Sequence, residues 1–114
     1  MPLREHKSTT HDEDMQRIAN AWHLVHSIHR NLRYMRTGGP MLRSSSIPAI
    51  KEDAEQLWRI HAIHKPTELM QIRCKGESKH LACCIHELDP PPDRHERAAL
   101  IDAFRHLAGV GGKR

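Results

Sequence analysis

Apolar residues in the first third of the chain recur at alternating steps of three and four. The series is Ile18, Ala21, Val25, Ile28, Leu32 and Met35. These are the a and d positions of a short heptad run, so the pattern predicts an amphipathic helix over residues 11–36. The acidic residues 12–14 suit the positive end of its dipole. The Gly-Gly-Pro sequence at 38–40 ends the helix.

The rest of the chain carries further helical patterns. MLRSSS (41–46) has the composition of a linker, and Ser46-Ile47-Pro48 starts a second helix that ends at Lys65-Pro66. Three more helices are predicted, over 67–74, 78–88 and 93–108. The fold class is therefore all-α, a small bundle of about five helices. A β-hairpin over 69–86 is the alternative, because apolar and polar residues alternate there, but an isolated hairpin is only marginally stable.

The length of 114 residues predicts a single domain. We place it at 11–108, after a disordered N-terminus (1–10) and before a flexible basic tail (109–114). The apolar content is only 38%, with one Phe, two Trp and one Tyr. Such a small core favours a homodimer in which the apolar seam of the first helix lies at the interface.

Cysteine content and hydropathy indicate the compartment. Cys74, Cys83 and Cys84 are odd in number and two of them are adjacent, so they predict no disulfide framework. No apolar run approaches the roughly 20 residues that cross a bilayer, and the polar N-terminus is not typical of a signal peptide. We expect a soluble cytoplasmic protein without a membrane partner.

The distribution of charge is more informative than its total. Eighteen Lys and Arg stand against fourteen Asp and Glu, a formal charge of +4. Met15 to Lys51 contains no carboxylate, while Arg30, Arg33 and Arg36 accumulate there and Arg43 follows. A solvated face is the commonest fate of such residues. The absence of acids nevertheless favours a surface that meets nucleic-acid phosphates.

The order helix, tight turn, helix over 67–88 resembles a helix-turn-helix, with Lys75-Gly76-Glu77 as the turn. That resemblance implies that the N-terminal residues of the second helix, Ser78 and Lys79, meet base edges in the major groove. Arg73 and Lys75 would lie near phosphate. The predicted nucleic-acid-binding residues are Arg30, Arg33, Arg36, Arg43, Arg73, Lys75, Ser78 and Lys79.

Eleven histidines raise the question of a metal site. His23, His26 and His29 advance three residues at a time, so the three side chains drift around the helix and cannot all meet one ion. A second group comprises Cys74, His80, Cys83, Cys84 and His86. Its spacing matches no standard zinc finger, and Cys84 shares the apolar stripe of Leu81. We expect no metal and no cofactor, with zinc and a proton switch as the alternatives.

The sequence contains no catalytic signature of a known hydrolase or phosphate-binding loop, and we expect no enzyme. One weaker pattern offers an alternative. Arg17 and His23 form R-x5-H on a helix, which resembles the motif of HEPN ribonucleases. That resemblance implies RNA cleavage through the 2′-hydroxyl by an arginine and a histidine from two protomers.

A second resemblance covers more of the chain. A long N-terminal helix is followed by PMLRSSSI (40–47), KPTELMQI (65–72) and HLACC (80–84). This order resembles the FlhD family of flagellar transcriptional regulators. The resemblance implies an all-helical, dimeric transcriptional subunit that works with a partner activator, FlhC. It supplies no site residues.

The leading hypothesis is a nucleic-acid-binding transcriptional regulatory protein, DNA before RNA. The alternative is a protein–protein adaptor or inhibitor, for example a small phage or viral antagonist, whose basic helix meets an acidic partner.

Overall fold

The computed structural model describes residues 2–112, with side chains from residue 11 onward. This part of the chain forms four helices: α1 (Pro2–Thr37), α2 (Gly39–Ile63), α3 (Glu68–Glu87) and α4 (Arg94–Val110). The all-α prediction is confirmed. The helix predicted over 11–36 is part of α1, which begins at Pro2, and α4 continues to Val110, two residues beyond the predicted end. Residues 1 and 113–114 lie outside the described residues, and the disordered N-terminus (1–10) and flexible tail (109–114) stay predictions. Over the described range no helix is apolar and long enough to cross a membrane.

The helices pack as a ring of four neighbours. α1 contacts α2 and α3, and α4 contacts the same two helices from the other side. α1 and α3 run in the same direction, because His29 meets Glu77 and, further along both helices, Arg36 approaches Glu87. α2 and α4 are parallel for the same reason: Arg43 pairs with Glu96 near their starts, and Trp58 packs on His106 near their ends.

The apolar stripe of α1 points into this bundle. From Ala21 to Met35 every residue of the predicted heptad series is buried, while Ile18, one turn earlier, is 47% exposed. The stripe therefore completes the core of one chain before any second copy is present. The remaining core residues come from the other three helices and from Leu88, which directly follows α3: Ile47, Ile50, Ala54, Leu57, Met70, Cys74, Leu81, Cys84, Leu88, Leu100, Ala103, Leu107 and Val110.

The junction of α1 and α2 is a single tight turn at the predicted place. Gly39 has a φ of +86°, which favours glycine because a Cβ is strained there. A Cβ on Gly38 would stand 2.6 Å from the carbonyl oxygen of Tyr34, the group that accepts the Gly38 N–H. The two glycines therefore let the chain reverse within one residue.

The predicted linker 41–46 is instead the first part of α2, which runs through Pro48. Proline at 48 removes the hydrogen bond to the carbonyl of Ser44, but Ser44 lies at an exposed position of the helix, where an unpaired carbonyl costs little. Arg43, Ser46 and Ile47 are buried against the bundle. This packing outweighs the weak helix propensity of the serines.

The predicted turn at Lys75-Gly76-Glu77 is also wrong, because α3 passes through it without a break. The four-helix count follows from this merger, and residues 67–88 form neither a helix-turn-helix nor a hairpin. The buried positions of α3 keep helical spacing across Gly76. They are Met70, Cys74, Glu77, Ser78, Leu81 and Cys84.

The N-termini of α3 and α4 are capped by the side chains of the residues that precede them. The Thr67 hydroxyl accepts the backbone N–H of Met70 at 3.2 Å. Asp93 accepts from the backbone of Glu96 while the Glu96 carboxylate accepts from the backbone of Asp93, a reciprocal capping box. These caps fix where the two helices begin.

Candidate functional site

A cationic cleft of about 400 Å³ lies along α1, at the side where α3 packs. We call it the α1–α3 cleft. Its lining residues are His26, His29, Arg30, Arg33, Tyr34, Thr37 and Arg73. All except Arg73 come from α1, and none of them is a carboxylate. The cleft therefore offers guanidinium, imidazole and hydroxyl donors to a ligand.

The helix periodicity of α1 builds this surface. His26, His29 and Arg33 each follow directly after a buried residue of the core stripe. A step of one residue is a rotation of about 100°, so these polar side chains border the apolar seam. Arg73 reaches the same space from α3.

A buried carboxylate lies behind the cleft. Glu77 of α3 has a side chain only 6% exposed. Arg73, one turn earlier, donates from Nε to its Oε2 at 2.9 Å. The Nδ1 atom of His29 on α1 lies 3.2 Å from Oε1 and 3.1 Å from Oε2. Glu77 thus compensates its own burial with partners from two helices, and it holds Arg73 and His29 in place.

His80 of α3 is the third member of this group. Its Nδ1 is 3.7 Å from Oε1 of Glu77, and its ring centre is 5.6 Å from that of His29. Within the described residues, His29, Glu77 and His80 are the one set of at least three potential metal ligands that the fold brings together.

A second carboxylate lies on the other side of α1. Asp53 of α2 accepts a hydrogen bond of 2.6 Å from the Ser27 hydroxyl. Burial raises the pKa of Asp53, while the Ser27 bond and the charge of Arg30 act in the opposite direction. Ser27 and Asp53 line a polar groove between α1 and α2 together with His23 and Arg30. Because Arg30 also lines the α1–α3 cleft, it lies between the cleft and this polar groove. The Arg30 guanidinium is therefore partly compensated by Asp53.

The eight predicted nucleic-acid-binding residues fall into separate places. Arg30, Arg33 and Arg73 meet in the α1–α3 cleft. Arg36 lies further along α1, with Nη1 3.9 Å from Glu87. Arg43 is buried, with a side chain 11% exposed, and it bonds to both oxygens of Glu96 at 3.0 and 3.3 Å. The fold thus places Arg43 in an ion pair between α2 and α4, outside the α1–α3 cleft.

The three remaining residues, Lys75, Ser78 and Lys79, lie on a different face of α3. They line an apolar groove of about 730 Å³ beside Phe104 and Ala108 of α4. Ser78 is buried and its hydroxyl donates to the carbonyl oxygen of Lys75 at 2.8 Å. Because residues 75–79 lie in mid-helix, Ser78 and Lys79 are not the first residues of a recognition helix.

The cysteines do not assemble as thiolate ligands. Cys74 and Cys84 are buried in the core, and Cys83 is exposed. Burial raises the pKa of Cys74 to about 12. Burial also raises the pKa of Cys84, and the neighbouring Arg36 offsets part of that rise. A thiol that stays protonated is a poor metal ligand.

Arg17 and His23 face different spaces within one chain. Arg17 pairs with Asp14 and lines a small pocket with Trp22 and His61. His23 lines the polar groove beside Asp53. The ribonuclease hypothesis, which pairs these residues between two protomers, stays a prediction.

Glu77 is the residue of this candidate site that sequence reasoning missed. A signal was present: Glu77 falls on the buried stripe of α3, three residues after Cys74 and four before Leu81. A carboxylate at a core position predicts a buried acid that needs cationic or ligand partners. No comparable signal in the sequence identifies His29 of α1 as its partner, because the sequence pattern does not show which helices pack together.

Comparison with protein-family models, with curated proteins and with solved structures gives no match. The resemblance to the FlhD family stays a prediction.

Proposed function

We propose that this protein binds nucleic acid, DNA in the first place, as a regulatory protein that holds the phosphate backbone in the α1–α3 cleft. The observation that carries the proposal is the meeting of Arg30, Arg33 and Arg73 in one open cleft with no lining carboxylate. Guanidinium groups form paired hydrogen bonds with phosphate oxygens. Tyr34 and Thr37 add hydroxyl donors to the same surface.

The dimensions of the cleft suit a polyanion. From His26 to Thr37 the cleft follows α1 for about 16 Å, at 1.5 Å per residue. One strand of a duplex carries a negative charge for roughly every 3.4 Å of helix axis. Several phosphates can therefore contact the cleft at once, which a single small anion does not require.

Phosphate contacts position a nucleic acid but carry no sequence information. The choice of DNA and of a transcriptional role rests on the resemblance to the FlhD family, since the helix-turn-helix that favoured it from sequence is absent from residues 67–88. Self-association is part of the same proposal. It is supported by the exposed Met15 and Ile18 on α1.

The test is fluorescence anisotropy with labelled duplex DNA and single-stranded RNA at about 50 and 200 mM salt. We expect binding that falls steeply with salt, because each phosphate contact adds about −0.9 to the slope of log K against log salt. The Arg30→Gln/Arg33→Gln variant should lower that slope by roughly 2 and weaken binding to all sequences.

The matched control is Arg97→Gln/Arg105→Gln, which removes the same charge from exposed positions of α4. It should retain the native slope. Equal losses in both variants would mean that only the net charge matters, and the cleft assignment would be wrong. Tighter binding to RNA than to DNA would reverse the preferred nucleic acid. Absence of binding at the lower salt would leave an acidic protein as the partner of the cleft.

A further inference from the structure

Three side chains from two helices converge beside the α1–α3 cleft. His29 of α1 and Glu77 and His80 of α3 each offer one ligand atom within 4.8 Å of the other two. Glu77 is buried, and the two histidines are partly exposed. A buried carboxylate with two imidazoles at one edge is a common donor set for a transition metal.

The distances from Glu77 to the two imidazoles suit ligands of one ion, and all three ligand atoms lie within 4.8 Å of one another. Zinc binds imidazole nitrogen at about 2.0–2.1 Å and carboxylate oxygen at about 2.0–2.2 Å, so neighbouring tetrahedral ligands stand roughly 3.3–3.5 Å apart. The Oε1 atom of Glu77 is 3.2 Å from Nδ1 of His29 and 3.7 Å from Nδ1 of His80. Both values lie close to the length of a tetrahedral edge.

The two oxygens of Glu77 share His29 but differ in their other neighbours. Nδ1 of His29 lies 3.2 Å from Oε1 and 3.1 Å from Oε2, His80 approaches Oε1, and Oε2 accepts the 2.9 Å hydrogen bond from Arg73. Oε1 is therefore the oxygen placed between both imidazoles, while Arg73 holds the carboxylate through Oε2. Such outer hydrogen bonds orient the ligands of metal sites and tune their affinity.

The donors also select the class of ion. Magnesium and calcium prefer oxygen ligands, whereas imidazole suits zinc and its first-row neighbours. Three protein ligands leave at least one coordination position for water or an anion, as in catalytic rather than structural zinc sites. Because His29 also lines the α1–α3 cleft, an ion at this place would lie at the edge of the cleft.

We propose that His29, Glu77 and His80 form a zinc-class metal site with an open coordination position beside the α1–α3 cleft. The proposal replaces the sequence expectation of no metal. It does not depend on nucleic-acid binding, and its test contains no nucleic acid. His29 joins Glu77 and His80 across the packing of α1 on α3, so the bound ion also cross-links the two helices.

The test uses the full chain, freed of metal with a chelator and dialysed against Zn²⁺, with metal content and Tm as readouts. We expect Zn²⁺ to raise the Tm. We also expect each chain to retain one Zn²⁺ ion in competition with a chelator. Co²⁺ in its place should give the visible absorption of a low-coordinate nitrogen and oxygen site. His29→Ala and His80→Ala should each weaken binding by on the order of 100-fold, since loss of an outer hydrogen bond alone costs 10–100-fold.

Matched controls are needed because the chain contains eleven histidines. His23→Ala on α1 and His86→Ala on α3 remove exposed imidazoles from the same two helices and should bind Zn²⁺ as the native chain does. Glu77→Gln should abolish binding, and the two histidine variants carry the test if that buried substitution unfolds the chain. Native affinity in His29→Ala and His80→Ala, or no Zn²⁺ uptake by the native chain at about 100 μM, would overturn the proposal.

Discussion

Arg43 and Glu77 are charged side chains at positions where the fold leaves almost no access to water, and each is held by a partner on another helix. Arg43 of α2 bonds to Glu96 of α4, and Glu77 of α3 meets His29 of α1. Burying a charge costs free energy unless partners replace its water. The two residues differ in their surroundings: Arg43 lies between two helices away from any cleft that we assign, whereas Glu77 lies beside the open α1–α3 cleft.

Arg43→Met tests the structural role of this arginine. The variant leaves the Glu96 carboxylate and the Pro90 carbonyl without the donors that they now share. We expect it to lower the free energy of unfolding by about 2 kcal/mol, measured by urea denaturation. Nucleic-acid binding by the folded variant should be unchanged, because Arg43 lies outside the α1–α3 cleft.

Arg105→Met, at an exposed position of α4, is the control and should change stability by no more than about 0.5 kcal/mol. If Arg43→Met kept native stability but bound nucleic acid more weakly, Arg43 would belong to the binding surface.

At the scale of elements, the continuity of α3 changes what the protein can do. Sequence patterns divide this segment at Gly76, and the division creates a helix-turn-helix. The structure instead keeps one helix from Glu68 to Glu87. Only a continuous helix places Arg73, Glu77 and His80 on one face, at spacings of four and three residues. The same continuity moves Lys75 and Lys79 to another face, beside α4.

Gly76→Ala distinguishes the two arrangements. A Cβ at this exposed position meets no atom within 4 Å, and the backbone of Gly76 does not have positive φ. Alanine should therefore raise the free energy of unfolding by about 0.5–1 kcal/mol, as in a helix interior. Thermal and urea unfolding measure the change.

Gly39→Ala is the matched control, since Gly39 has a φ of +86°. Alanine there should destabilise the chain by roughly 1 kcal/mol. Destabilisation of similar size by Gly76→Ala would instead indicate a turn at 75–77.

At the scale of the whole molecule, one chain buries most of the apolar seam that the sequence assigns to a dimer. Val25, Ile28 and Leu32 of α1 are fully covered by the other helices. The exposed part of the seam is its N-terminal end, where Ile18 is 47% exposed, and Met15, which precedes the seam by about one turn, is 56% exposed. The self-association that we propose through this part of α1 would therefore leave the α1–α3 cleft open.

Met15→Glu/Ile18→Glu tests self-association through that surface. We expect the native chain to elute as a dimer and this variant as a monomer, because paired carboxylates at an apolar contact are costly to bury. Light scattering after size exclusion measures the mass. The variant should retain the Tm of the native chain, since neither residue belongs to the core.

Ile72→Glu, at a position 61% exposed on α3, is the control and should remain dimeric. A native chain that is monomeric at about 100 μM would rule out the dimer, and the proposed binding would then have to be carried out by a single chain.

Local features of the sequence determined the helical class, three of the helix ends and the buried stripes. The Gly38-Gly39 turn, the end of α2 before Pro66 and the Asp93 cap each act through residues next to one another, and the apolar periodicity acts along one helix. Such signals are local, so they are present in the sequence before the chain folds.

Tertiary packing decided the rest. Burial of Arg43, Ser46 and Ile47 makes a helix of a segment with the composition of a linker, and burial on both sides of Gly76 removes a turn. The pairing of α1 with α3 brings Arg73 to Arg30 and Arg33, and Glu77 to His29. These outcomes depend on which helices become neighbours, a long-range property that periodicity along one helix does not carry.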